Sequence, residues 1–191
     1  MTSRDDVLAA AQRHLLLHPT APMAELAEAA GISRATIHRH FASREALTLE
    51  IGERAADRWE DSQQESGMAQ AAASGDAEQL RACLERMLQR FVADNEDFGF
   101  ALTDAASLNQ PSLRERNLAL FDREVAFYAA AQEAGVLRRD VPAAWLCHAV
   151  YGLLVGARDA LEMGNVPSRD LDRLVLSLFL HGAQTPGAQA P

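Results

Sequence analysis

The chain has 191 residues, 48% of them hydrophobic and 24% charged, and a formal net charge of -9. This balance supplies a core for one globular unit or two small ones and excludes a disordered composition. The two cysteines, Cys83 and Cys147, stand far apart with no CxxC or Cys/His spacing, which points away from a disulfide framework or a zinc site and toward a reducing, cytoplasmic setting with no cofactor.

The opening residues, MTSRDDVLAA, carry no basic leader with an apolar run behind it, so a secreted chain is not expected. A helix is predicted over 5–17, with Asp5 and Asp6 at its N-terminus and a stop at His18-Pro19. A second covers 23–30, with Pro22 near its first turn and Gly31 just past its end. Ser33 caps a third helix running to about His40. Ser43 caps a fourth, which carries Leu47, Ile51 and Ala55 at four-residue spacing and extends to about residue 65.

Gly31-Ile32-Ser33 is a three-residue turn between two short helices, the pattern of a helix-turn-helix. In the second of these helices Ile37 and Phe41 face inward, leaving Arg34, Ala35, Thr36, His38, Arg39 and His40 for the other surfaces. No acid occurs from Ser33 to Arg44, in a chain that is otherwise acidic. Arg forks onto guanine, Thr and Ala methyls pack on a thymine methyl, and His and Arg donate to phosphate. Ser33, Ser43 and Arg44 stand at helix N-termini, whose free N–H groups seat phosphates. The expected partner is therefore double-stranded DNA.

Residues 23 to 47, MAELAEAAGISRATIHRHFASREAL, resemble the DNA-binding signature of the TetR (tetracycline repressor) family of transcriptional regulators. Leu26-Ala27, Ala30-Gly31-Ile32-Ser33, Thr36-Ile37, Phe41, and Ser43 followed by a basic residue and Glu45 fall where that pattern places them. His38 stands where the family usually has Tyr, Arg44 where Lys is usual, and Pro22 near the usual Ser or Thr cap. The resemblance covers about the first fifty residues. It implies an all-α protein in which an N-terminal three-helix DNA-binding domain is joined to a larger α-helical ligand-binding and dimerisation domain.

Charge marks the same division. Residues 1–50 hold five Arg and six acids, whereas residues 51–191 hold the other 13 Arg and 21 acids. The domains expected are 1–48 and 49–182, with 183–191 a disordered tail. In the larger part Gly75-Asp76 marks a break between the fourth helix and a fifth that carries Leu80, Cys83, Leu84, Met87, Leu88 and Phe91, and the polar, Ala-rich segment between 62 and 79 is expected to be mobile at its ends. Helices are also predicted over 97–108, 112–134, 142–163 and from Ser168 on. The longest apolar segment, residues 143–157, is broken by His148 and falls short of the ~18 residues that a membrane span needs, so no membrane partner is expected.

Ala149, Gly152, Gly156 and Ala160 make a small-residue row suited to close helix packing. In the final helix Leu171, Leu174, Val175, Leu178 and Phe179 make an apolar face that Leu176 and Leu180 extend. These suit a homodimer interface, which the resemblance places on the last two helices; burial within a single subunit is the alternative. The resemblance also implies an unidentified small-molecule effector held among the central helices, with the fourth helix as the lever that releases an operator. Candidate pocket residues are Met87, Phe91, Phe98, Phe100, Phe121, Tyr128, Trp145, His148 and Tyr151, with Asp104 and Asn109 as polar anchors; packing in a core is the other reading of such an aromatic set.

No Ser/His/Asp order, paired carboxylates, phosphate-cradling glycine loop or metal spacing calls for catalysis, and an enzyme is not expected. The function expected is sequence-specific DNA binding by a transcriptional regulator, acting as a repressor. A second reading stays open, a helical small-molecule-binding or scaffold protein whose helix-turn-helix does not engage DNA. Ion pairs tying Arg34, Arg39 and Arg44 to acids of the larger part would favour it.

Overall fold

The structure is a computed structural model that describes residues 3–183, the side chain of Glu96 excepted. Among these residues it is all helical, with no β-strand: α1 (Arg4–Leu17), α2 (Met23–Ala29), α3 (Arg34–His40), α4 (Arg44–Glu65), α5 (Met68–Ser74), α6 (Ala77–Phe98), a 3-10 turn (Gly99–Leu102), α7 (Ala105–Leu108), α8 (Pro111–Glu133), α9 (Ala143–Glu162) and α10 (Ser168–Ala183). No described helix is long and apolar enough to cross a membrane, and no described group of His, Cys, Asp and Glu is placed to hold a metal ion.

Local chemistry accounts for the first helix boundaries. Ser3 and Asp6 form a reciprocal capping box, the Ser3 hydroxyl accepting from the Asp6 N–H at 3.1 Å and the Asp6 carboxylate from the Ser3 N–H at 2.9 Å. At the end of α2, Gly31 takes φ 65°, a left-handed conformation that lets its N–H reach Glu28 O and the Ile32 N–H reach Ala27 O, each at 2.9 Å. That pair of bonds satisfies carbonyls that the helix end would otherwise leave open.

The chain forms two compact units. The first comprises residues up to Asp57 together with Glu96–Arg116; the second comprises Arg58–Asn95 and the residues from Asn117 onward. The compositional change near residue 50 thus falls inside α4, because a continuous helix carries the chain from one core to the next.

In the first unit Val7, Leu8, Leu15, Leu26, Ile37 and Leu47 are wholly buried in one cluster that also takes in Phe41, Phe100 and Ala101. Burying each large aliphatic side chain contributes roughly 1.5–3 kcal/mol. Gln12 donates to the Asp97 carbonyl at 2.6 Å, tying the 96–116 segment to α1. Gly52 gives Leu113 its space, since a Cβ there would lie 2.6 Å from Leu113 Cδ2.

The second unit is built from the later part of α4 with α5, α6, α8, α9 and α10. Arg58 and Ser62 of α4 both reach the Asp94 carboxylate of α6, at 2.7 Å each. Gln132 donates to the carbonyls of Arg138 and Val141, at 2.7 and 2.8 Å, and so holds the α8–α9 connection.

Two elements differ from expectation, whereas α4 ends at Glu65 as expected; within the 62–79 segment Ser62, Gln63 and Ser66 are buried, α5 follows and α6 begins at Ala77. In place of the single helix expected over 97–108, α6 ends at Phe98, a 3-10 turn covers Gly99–Leu102, and Asp104, accepting the Ser107 N–H at 3.1 Å, caps a new short helix. Ala183, expected in the tail, is the buried last residue of α10, and its carbonyl accepts the Arg138 N–H at 2.8 Å; residues 184–191 lie outside those described.

Candidate functional site

On α3 the side chains sort by helical face. Ile37 is fully buried and Phe41 is 2% exposed, which leaves Arg34, Ala35, His38 and Arg39 exposed and Thr36 half-exposed. Ser33 caps the helix by accepting the Thr36 N–H at 3.1 Å, and its hydroxyl lies 2.9 Å from the Thr36 hydroxyl. Arg34 and Arg39 make no ion pair among the described residues, so the ties that would have favoured a scaffold are absent there. Two planar guanidiniums and a methyl-bearing hydroxyl within six residues of one short helix can address base edges and phosphates together.

Two expected contacts sit differently. His40 is half-buried, its Nε2 closed off from solvent and without a hydrogen-bond partner, because it shares the inner quadrant of α3 with Ile37. Its carbonyl accepts from Arg4 Nε at 3.4 Å, and the Arg4 guanidinium lies 4.6 Å from the centre of the Phe41 ring. Arg44 turns back on the α1–α2 connection, donating from Nε to Ala21 O at 3.1 Å and from a terminal nitrogen to Pro19 O at 2.5 Å. Of its five N–H donors these bonds take two, leaving the rest for another acceptor. Ser43 caps α4 by accepting the Ala46 N–H at 3.2 Å.

The residues expected to line a pocket differ in burial and divide between the two units. Met87 and Tyr128 are fully buried, Phe91 is nearly so, and Phe121 is half-buried with its ring 5.2 Å from that of exposed His148. Trp145 and Tyr151 are 61% and 44% exposed. Phe98 and Phe100 belong to the first unit, as do Asp104, occupied as a helix cap, and exposed Asn109. Helical spacing places these residues on apolar faces without stating which face a neighbour covers.

At the core of the second unit stands a residue that the sequence reading passed over. Glu124 of α8 is 3% exposed, and its carboxyl accepts from Trp59 Nε1 of α4 at 3.1 Å and from the Tyr128 hydroxyl at 2.8 Å. Burial pushes its pKa up to about 7, against the opposing pull of the Tyr128, Trp59 and Gln63 donors. Gln63, one turn after Trp59, donates to the Leu120 carbonyl at 2.9 Å and leaves its Oε1 buried and unpartnered. A signal did exist: an acid four residues after Leu120 and four before Tyr128 lies on the apolar face of α8.

Along α9 and α10 the expected dimer residues divide. Leu171, Val175 and Phe179 are buried within the unit, whereas Leu178 is 64% exposed and Leu174 half-exposed. Gly152 and Gly156 are exposed, and a Cβ at either would meet nothing within 4 Å. Trp145, Gly152, Leu178 and Phe179 line a groove of about 390 Å³ with Arg138 at its rim.

Known proteins share this fold. Residues 7–51 match the family model described as bacterial regulatory proteins of the tetR family. The HTH-type transcriptional regulator NfxB of Pseudomonas aeruginosa is 30% identical over 173 residues, 88% of this chain and 87% of that protein. The HTH-type transcriptional repressor LfrR of Mycolicibacterium smegmatis is 25% identical over 181 residues, 92% of this chain and 88% of that protein. The crystal structure of LfrR in complex with proflavine aligns with a TM-score of 0.72 and 21% identity, covering 95% of this chain and 96% of the other. That of AibR in complex with isovaleryl coenzyme A and operator DNA aligns with a TM-score of 0.65 and 18% identity, covering 93% and 98%.

Proposed function

Because the chain belongs to the TetR family of transcriptional regulators, which are not enzymes, we propose that it is a homodimeric, sequence-specific DNA-binding repressor. A small molecule bound in its helical core releases it from a near-palindromic operator. The observation that carries the DNA-binding part is α3 itself, a helix anchored by Ile37 and Phe41 with Arg34, Thr36 and Arg39 turned outward and no ion pair on either Arg among the described residues. The AibR structure, which holds operator DNA, supports the same role for this chain.

One seven-residue helix buries too little surface for tight binding by itself. A twofold pair places two such helices in successive major grooves, roughly 34 Å apart. The exposed stripe of Trp145, Gly152, Gly156 and Leu178 supports a second copy as its occupant, since large apolar side chains are exposed there and a Cβ at either mid-helix glycine would meet no described atom within 4 Å. Each such glycine costs about 1 kcal/mol relative to Ala, a cost that close helix contact offsets. The LfrR complex with proflavine supports an organic effector. α4 is then the lever, carrying Arg44 at its start and Trp59 and Gln63 toward its end.

Selection of bound fragments from random duplex DNA tests the proposal. The expected product is a near-palindrome whose half-sites lie one helical turn apart, bound with a steep loss of affinity as salt rises. Recovery of no enriched sequence by a folded dimer would overturn it.

A further inference from the structure

The second unit holds a carboxyl group with no positive charge to meet it. Glu124 is buried, and no Arg or His among the described residues pairs with it. The titratable groups around it stay neutral near pH 7. Tyr128, on its own helix, has its pKa raised well above the usual value, first by burial and then by Glu124 itself. The Cys147 thiol of α9 is pushed up by burial and by Glu124, and the Cys83 thiol of α6, which faces Tyr128, is pushed up to about 11 by burial. From α4 the facing groups are the uncharged Trp59 indole and Gln63 amide.

Hydrogen bonding adds an unpaired acceptor beside it. The Trp59 and Tyr128 donors hold the two oxygens of Glu124 in a fixed orientation, one each. Beside them Gln63, only 2% exposed, has its amide nitrogen engaged and its Oε1 with no donor. A glutamine at position 124 would fill the same volume without a charge to desolvate, so the acid runs against the grain of the core. An ionisable acceptor and an orphan neutral acceptor, backed by an indole and a phenol, suit a ligand that brings positive charge, N–H donors and an aromatic face.

We propose that Glu124 and Gln63 form an effector subsite for an aromatic organic cation bearing N–H donors, with the cationic nitrogen received by the Glu124 carboxylate and a second N–H by Gln63 Oε1. This subsite deepens the reading of the chain as an effector-released regulator and rests on it. Binding the cation holds the carboxyl ionised and expels its proton, so affinity falls as pH drops below about 7 and levels off above it.

Calorimetry with 9-aminoacridine as the cation, and acridine as the uncharged ring at pH 8, tests the subsite. The cation is expected to bind at least about tenfold more tightly than acridine. Its affinity should fall by about tenfold per pH unit below 7, and Glu124→Gln should lose at least about tenfold along with that pH dependence. Retained circular dichroism and melting would establish that the variant folds. Should it not fold, Gln63→Met removes the orphan acceptor and is expected to weaken the cation about fivefold, about the worth of one hydrogen bond, while leaving acridine unchanged.

Equal affinity for both rings, no binding of the cation, or a Glu124→Gln protein that binds it as wild type does would overturn the subsite. DNA selection on the same preparations keeps the two readings apart. An operator bound but indifferent to the cation sinks the subsite alone, and cation binding without any operator sinks the regulator alone.

Discussion

Arg44 Nε lies 3.1 Å from the carbonyl oxygen of Ala21, so the side chain proposed to meet a phosphate from the head of α4 also clamps the α1–α2 connection. Two roles on one guanidinium predict two losses in Arg44→Ala. Leaving the Ala21 and Pro19 carbonyls without their donor should lower stability by about 1–3 kcal/mol in chemical denaturation. Affinity should fall alike for all DNA sequences, with the salt slope reduced by about 1 per subunit. A variant that binds less tightly but melts as wild type does would separate the two roles.

Arg34 stands exposed in the first turn of α3, and the proposed reading assigns it to base edges. Arg34→Ala should therefore leave the melting temperature unchanged and relax preference at one position of each half-site, a loss of about 1–3 kcal/mol against the best sequence. Repeating the DNA selection with the variant checks it, and a uniform loss on every sequence would mark Arg34 as a phosphate contact instead.

Glu124 offers a pH-dependent prediction with a definite sign. Its pKa is raised from the ordinary value of 4.5 to about 7 in the folded state, so the fold favours the protonated form. Its contribution to stability is greatest below pH 4.5, declines as pH rises through 7, and levels off above that, a span of about 3 kcal/mol. Glu124→Gln should accordingly be more stable than wild type at pH 8 and lose that advantage near pH 4. Urea denaturation of both proteins across this range measures the difference, and a gap that widens toward acid would contradict the assignment.

Gly156 has open space around its missing Cβ. Gly156→Leu should fit the single subunit and improve helix propensity by about 1 kcal/mol, yet block close approach of a second α9. Sedimentation velocity is expected to show monomers, accompanied by loss of operator binding. A variant that remains a dimer would place the subunit contact elsewhere.

Much of this molecule is local in origin, and those parts were legible from the chain alone. The Ser33 cap, the left-handed Gly31 and the inward Ile37 and Phe41 follow from backbone sterics, capping and helical period, all of which act over a few residues. The helix-turn-helix and the all-helical class came with them. Tertiary structure alone decided what each apolar face meets. It turned Trp145 and Leu178 outward and Tyr128 inward, although all three lie on amphipathic helices, and it drew Gln63 and Glu124 together from positions 61 residues apart. It also broke the expected 97–108 helix and set the first unit's limit at Asp57. Burial depends on neighbours distant in the chain, and a periodic pattern counts faces without saying which partner covers them.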